Sequence, residues 1–150
     1  MKIKISLKIF LLSSFLSTFF DQITKFFIVN FLEKYDGNLN ITSFFSLSLV
    51  KNKGIIFGFF SYEKAKIFII FFSITAIFFI LWILFLGKTE KYYQFSLGLI
   101  VGGIIGNLID RIKNGYVIDF LNFHFWPVFN FADSFILIGI ILFFIRYSRG

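Results

Sequence analysis

The sequence predicts an all-α membrane protein of four transmembrane helices, with a small external β-sheet on its first outer loop. Three observations carry this. Hydrophobic residues make up 58% of the 150 residues and charged residues only 15%, with a mean hydropathy of +0.87, which excludes an ordinary soluble domain. The apolar residues gather into four runs separated by short charged segments. One intervening stretch changes to the period of a strand.

The first run spans Ile9 to Leu32 behind Lys2, Lys4 and Lys8, a start that imitates a secretory signal peptide. Asp21 and Lys25 interrupt it and no small-residue cleavage site follows, so it reads as a retained first span. The second runs from Ala65 to Leu86, the third from about Tyr92 to Ile109, and the fourth from about Phe131 to Ile145. Between the first two, Asp36-Gly37 signals a turn. Leu39, Ile41, Phe45, Leu47 and Leu49 then alternate with polar residues, as in a half-buried strand. The whole chain, residues 1–150, is expected to form a single polytopic membrane domain.

Net charge is +7, but the basic residues lie between or outside the apolar runs, a pattern for lipid headgroups and not for a nucleic-acid partner. Zero cysteines exclude disulfides, thiolate chemistry and lipidation on cysteine. The 27 phenylalanines sit beside an abundance of Ile, Lys and Asn and very few alanines, so they reflect codon composition more than an aromatic binding surface. Lys2, Lys4, Lys8, Lys88, Lys91, Arg146 and Arg149 lie tight against the spans on the side of the termini. Lys34, Lys51, Lys53, Lys64, Lys66, Arg111 and Lys113 lie opposite, so the raw counts balance; the first group lies in the short segments where the positive-inside rule applies best, which places both termini in the cytoplasm.

Asp119 and Asp133 stand out against this background, because an ionised aspartate at the centre of a spanning helix costs about 2.5 to 3.5 kcal/mol on insertion scales. At ~1.5 Å per helical residue, Asp21, Asn107 and Asp133 each lie roughly 18 to 21 Å from the inner ends of their helices. In a hydrocarbon core ~30 Å thick, that gathers polar groups at one level in the outer half. Two close carboxylates in such surroundings share one proton near neutral pH, and can activate water while polarising a carbonyl. The alternative is that each is a helix cap or an ion-pair member, Asp133 being well placed to cap the fourth span.

Asn107, Asp110 and Arg111 share one face of the third helix, and Arg111 offers a planar fork for a carboxylate or a carbonyl. A self-satisfying cluster of these three is the competing reading. Asp21 and Lys25, acid first at i, i+4, suit a structural pair. Gly54 and Gly58 permit a turn after Lys51-Asn52-Lys53, and Gly102, Gly103 and Gly106 allow close helix packing. His124 has no second His or Cys to complete a zinc site and reads as an interfacial residue beside Trp126. No metal or other cofactor is expected.

Taken together these residues resemble the lipoprotein signal peptidases (signal peptidase II). The resemblance rests on Asp21–Lys25 (DQITK), Asn52–Gly58 (NKGIIFG), Gly102–Arg111 (GGIIGNLIDR), Val117–Phe120 (VIDF) and Phe129–Ser134 (FNFADS), in order along nearly the whole chain. It implies a metal-free aspartic endopeptidase of the bacterial inner membrane. Such an enzyme removes the signal peptide of prolipoproteins on the N-terminal side of a diacylglyceryl-modified cysteine. It implies catalytic roles for Asp119 and Asp133, substrate-binding or supporting roles for Asn52, Gly54, Asn107, Arg111 and Asn130, and structural roles for Asp21, Lys25 and Asp110. Lipid-modified prolipoproteins and membrane lipids are the partners expected, with a monomeric enzyme whose site faces the outer leaflet. Ile55, Ile56 and Ile104 depart from the smaller residues usual in the family and bear on pocket shape. A small ion- or proton-coupled transporter is the rival class. It calls for polar residues through the full membrane depth, whereas the inner halves of these spans are nearly all Phe, Ile and Leu.

Overall fold

Four long helices and a three-stranded sheet account for the chain in a computed structural model that describes residues 7–54, 62–86 and 90–148. Expectations placed on Lys2, Lys4, Ile55, Ile56, Gly58, Lys88 and Arg149 lie outside the described residues. In chain order the elements are α1 (Lys8–Leu32), β1 (Asn38–Asn40), β2 (Ser46–Asn52), α2 (Tyr62–Phe85), α3 (Lys91–Asn114), β3 (Val117–Asn122) and α4 (Phe131–Ser148). Among the described residues, α2, α3 and α4 are long and apolar enough to cross a membrane. α1 is as long, with 25 residues, but Ser13, Ser14, Ser17, Thr18, Asp21, Gln22 and Lys25 dilute its apolar character.

Helix α3 runs past the expected end at Ile109 to Asn114, where Gly115 takes a left-handed φ of 82° and closes it. The extension is tolerated because Asp110 finds partners on α1 and β3. Asn107, Asp110 and Arg111 are thus all on one continuous helix. The turn at Asp36-Gly37 is present, with φ of 50° and 79°.

The sheet differs from expectation in two respects. Its order is β1-β2-β3, antiparallel throughout, so its third strand comes from between α3 and α4 and not from the first outer loop. The alternation also fails in detail: Ile41 is 52% exposed while Ser46 is buried. Ser46 is held inside by hydrogen bonds to Ser48 and His124, and the β2–β3 register slips between Leu47 and Val50.

Helix α3 is the axis of the bundle, packed on α1, α4 and α2. It approaches α1 and α4 through glycine: a methyl group on Gly102 would stand 2.5 Å from the Ser14 carbonyl oxygen, and one on Gly103 would strike the Ala132 carbonyl. Polar side chains exploit that closeness. Thr18 Oγ1 donates to the Gly102 carbonyl at 2.9 Å and Gln22 Nε2 to the Gly106 carbonyl at 3.1 Å. Near the terminal end of the bundle, Phe10, Ile80, Leu84, Leu97, Ile100 and Val101 form the apolar core. Many large side chains on the helices point outward, Phe15, Phe71 and Phe78 among them, as a lipid-facing surface requires.

Gly102→Val should wedge α1 from α3 and destabilise the fold by about 1 to 3 kcal/mol, read as a lower thermal midpoint in detergent. An unchanged midpoint would mean the two helices do not depend on this approach.

Candidate active site

Asp119 and Asp133 arrive at the site from different elements. Asp119 lies on β3, opposite Val50 of β2, and is 1% exposed. Asn52 Nδ2 donates to its Oδ2 at 2.8 Å and Asn130 Nδ2 to its Oδ1 at 2.7 Å. Asp133 lies in the first turn of α4 and is half-buried. The residue preceding α4 is Asn130, and the two form a reciprocal cap. The Asp133 N–H donates to Asn130 Oδ1 at 3.0 Å, and the Asn130 N–H donates to Asp133 Oδ2 at 3.2 Å. The expectation that Asp133 could cap its helix is therefore met, and the cap does not exhaust it. Its Oδ1 still accepts from Asn107 Nδ2 at 2.8 Å.

Asn130 joins the two carboxylates. Its Nδ2 faces Asp119 and also Asn107 Oδ1 at 3.0 Å, while its backbone N–H and Oδ1 serve Asp133. Burial pushes the Asp119 carboxyl up to about 6. The Asn52 amide opposes that shift, the Asp133 charge adds to it, and Asn130 and Lys25 oppose it again. The two carboxylates thus differ in environment, one enclosed and one half-open.

Beneath them lies a buried ion cluster. Lys25 Nζ sits 2.8 Å from Asp21 Oδ2 and 2.9 Å from Asp110 Oδ2, and donates to Asn107 Oδ1 at 3.1 Å. Asp21 reaches across to accept the Ala132 N–H at 2.9 Å, in the first turn of α4. Asp110 accepts the Ile118 N–H at 3.1 Å, next to Asp119 on β3. Asn107 and Asp110 are therefore not spent on one another, as the competing reading had it: Asn107 serves α4 and Lys25, and Asp110 serves α1 and β3.

A family model described as signal peptidase (SPase) II matches residues 13–149. The chain belongs to the signal peptidase II family. That family is one of membrane aspartic endopeptidases. A protein of Janthinobacterium sp. (strain Marseille) named lipoprotein signal peptidase is 44% identical over 129 residues, covering 82% of this chain and 78% of that one. One of the same name from Thermodesulfovibrio yellowstonii is 40% identical over 136 residues, covering 88% and 89%. A solved structure described as a bacterial membrane enzyme superposes with a TM-score of 0.80 at 26% identity, over 92% of this chain and 91% of its own. Membership leaves the transporter reading without support.

In this signal peptidase II protein, Gly54 adopts a φ of 67° and donates its N–H to Asn52 Oδ1 at 2.8 Å. That contact fixes which end of the Asn52 amide faces Asp119. Arg111 Nη1 reaches only the Asn107 carbonyl at 3.4 Å, and its buried Nε has no hydrogen-bond partner among the described residues. Among the described residues no carboxylate occupies the fork, although Asp133, Asp119 and Asp110 all lie within electrostatic reach. His124 takes a left-handed φ of 57° and pairs through Nε2 with Ser46 at 3.1 Å, on the sheet and not on either carboxylate. Among the described residues no group of three His, Cys, Asp or Glu side chains could hold a metal ion.

Sequence reasoning missed Gln22, whose Nε2 donates to Asp110 Oδ1 at 3.0 Å and to the Gly106 carbonyl. Its signal was available: an amide inside an apolar run, adjacent to Asp21.

Two buried carboxylates balance one ammonium here, so the two partners are not equivalent. Lys25→Met should destabilise the fold by about 3 to 5 kcal/mol, because it strands both charges. Asp21→Asn leaves one pair intact and should cost less. Thermal unfolding of the two variants in detergent checks the order; equal losses would show that charge balance is not what Lys25 supplies.

Proposed function

We propose that the chain cleaves diacylglyceryl-modified prolipoproteins with Asp119 and Asp133 as a water-activating pair. The observation that carries this is Asn130, whose side-chain amide donates to the enclosed Asp119 carboxylate on β3 and whose backbone N–H donates to the half-open Asp133 carboxylate on α4. Residues 1–150 act as one membrane domain and as a monomer among bilayer lipids. All four helices cross the inner membrane, both termini are cytoplasmic, and the aspartates lie toward the outer leaflet. A lipidated substrate then reaches them sideways from the bilayer.

The environments divide the work. The proton shared by the pair rests on Asp119, where burial disfavours charge. Asp133 accepts a proton from water as the water oxygen bonds to the scissile carbonyl carbon. Asp119 gives its proton to the carbonyl oxygen, forming a tetrahedral gem-diol. Asp133 then passes its proton to the amide nitrogen, Asp119 takes one back from a hydroxyl, and the C–N bond breaks. The unoccupied donors of Arg111 bind a substrate carbonyl, and Asn52, Gly54 and Asn107 hold the carboxylates in register.

Incubating the purified protein with a lipidated prolipoprotein should yield the mature form. Asp119→Asn and Asp133→Asn should each cut turnover by a factor of roughly a hundred to ten thousand while leaving insertion intact. Substantial cleavage by either variant would remove that residue from the pair. Arg111→Lys should fail to restore full activity, since an ammonium lacks the bidentate fork, and EDTA should leave the rate unchanged.

The pH dependence of kcat/KM should be bell-shaped. Asp119 keeps its proton below about 6 and loses it above, so the alkaline limb marks the second ionisation of the pair. The Asn52 amide favours the ionised form, so Asn52→Leu should move that limb upward. His124→Gln should leave it in place. A limb that followed His124 would make the histidine an acid–base participant.

A further inference from the structure

A polar cleft of about 400 Å³ lies between α1, the last turn of α3 and the start of β3, and neither Asp119 nor Asp133 lines it. Lys25 and Asp110 form its buried end, and those groups are spent. Lys25 faces Asp21, Asp110 and Asn107, while Asp110 accepts from Gln22 and the Ile118 N–H. Asn30, Lys113 and Asn114 form its exposed end. Among the described residues, the Lys113 and Asn114 side chains make no hydrogen bond or ion pair. Lys51 brings a second ammonium. It is the cross-strand partner of Ile118, which lines the cleft, so both side chains stand on the face of the sheet opposite that of Asp119. Lys51 Nζ sits 5.4 Å from the Tyr116 ring centroid, which holds the ammonium on that side.

We propose that this cleft binds the phosphodiester of a bilayer phospholipid, with Lys51 and Lys113 supplying charge and the Asn114 amide a further donor. Depth points to a lipid. Asn30 lies nine residues past Asp21 and Lys113 six past Asn107, so the exposed end stands about 30 Å from the far ends of the helices. In a hydrocarbon core ~30 Å thick, that is the level of the headgroups. The rim agrees: Phe26 lines the cleft and is exposed, as is Ile112 beside Lys113. Acyl chains thus descend along α1 while the phosphate stays at the lysines. The carbonyl ends of α1 and α3 lie at the same level and oppose an anion. Binding therefore depends on the two ammoniums. A phosphate held there joins α1, α3 and the sheet at their open ends, above the Lys25 cluster, and stabilises the folded state by mass action. Such binding is independent of the reaction at Asp119 and Asp133.

The test heats the purified protein in uncharged detergent with one of three additives: phosphatidylglycerol, the diacylglycerol of the same chains, or sn-glycerol 3-phosphate. Phosphatidylglycerol at tenfold its dissociation constant should raise the thermal midpoint by about 3 to 6 °C. The other two should leave it in place. Lys51→Gln combined with Lys113→Gln should remove most of that shift. Lys64→Gln, which deletes an exposed charge at the same end of the bundle but outside the cleft, should keep it. A full shift in the double variant, or an equal shift from the diacylglycerol, would overturn the site. An equal shift from glycerol 3-phosphate would make the ligand a soluble phosphate and overturn the lipid. Should the double variant not fold, acetylation of wild-type lysines in mixed micelles serves instead. Phosphatidylglycerol should protect Lys51 and Lys113 while Lys64 stays reactive, and the diacylglycerol should protect none of them. Lys51 and Lys113 left as reactive as Lys64 would refute the assignment.

Discussion

The buried polar groups that position the candidate site are organised around one ammonium. Lys25 faces Asp21, Asp110 and Asn107 at 2.8 to 3.1 Å, and each of those groups grips a different element. Asp21 holds the first turn of α4 through Ala132, Asp110 holds β3 through Ile118, and Asn107 touches both Asp133 and Asn130. Burying such charges costs several kcal/mol per ion, and the mutual attraction returns that only with good geometry and filled hydrogen-bond sites. The sites are filled: every oxygen of Asp21 and Asp110 has a donor. An apolar cluster of equal volume would stabilise the bundle as well. It would leave the start of α4 and the middle of β3 free to slide, and with them the spacing of Asp119 and Asp133. The ion cluster thus converts the packing of three helices into a fixed separation between two carboxylates.

That dependence explains which parts of the structure were legible in the sequence. The helices were legible because apolar runs long enough to span a bilayer have few other uses. The Asp21–Lys25 pair was legible because both members lie on one helix at i, i+4. The turn at Asp36-Gly37 carried its own local chemistry. The third strand was not legible. Val117–Asn122 is short and carries an aspartate, and its pairing with β2 joins residues far apart in sequence. Lys25 bonding to Asp110 was equally hidden, since no local rule says which helix a buried lysine will meet. Ser46 shows the same limit on a smaller scale. Alternation predicted it exposed, and tertiary hydrogen bonds to Ser48 and His124 drew it inside.

The candidate site was legible as residues and not as geometry. Asn52, Asn107, Asn130 and the two aspartates were all singled out, but nothing in their spacing reveals that Asn130 divides itself between both carboxylates. Its side-chain amide donates to Asp119 while its oxygen accepts the Asp133 backbone N–H. Its backbone N–H adds a further donor at the open end of α4, where the first-turn amides have no intrahelical partners. Capping and site assembly are therefore the same interaction seen from two sides. The alternatives weighed for Asp133, cap or catalytic group, do not compete.

The asymmetry of the two aspartates follows from this construction. A carboxylate on a strand between β2 and the bundle is enclosed on every side, as Asp119 is. A carboxylate in the first turn of α4 faces outward along the helix flank and stays half-open. Burial raises the first. Two identical side chains thereby meet different surroundings, one shut away from solvent and one open along a helix flank. Arg111 completes the polarity of the site. It adds positive charge within reach of both aspartates yet commits its fork to neither, which leaves directed donors for a third party. On the proposed reading, a peptide carbonyl takes up those donors.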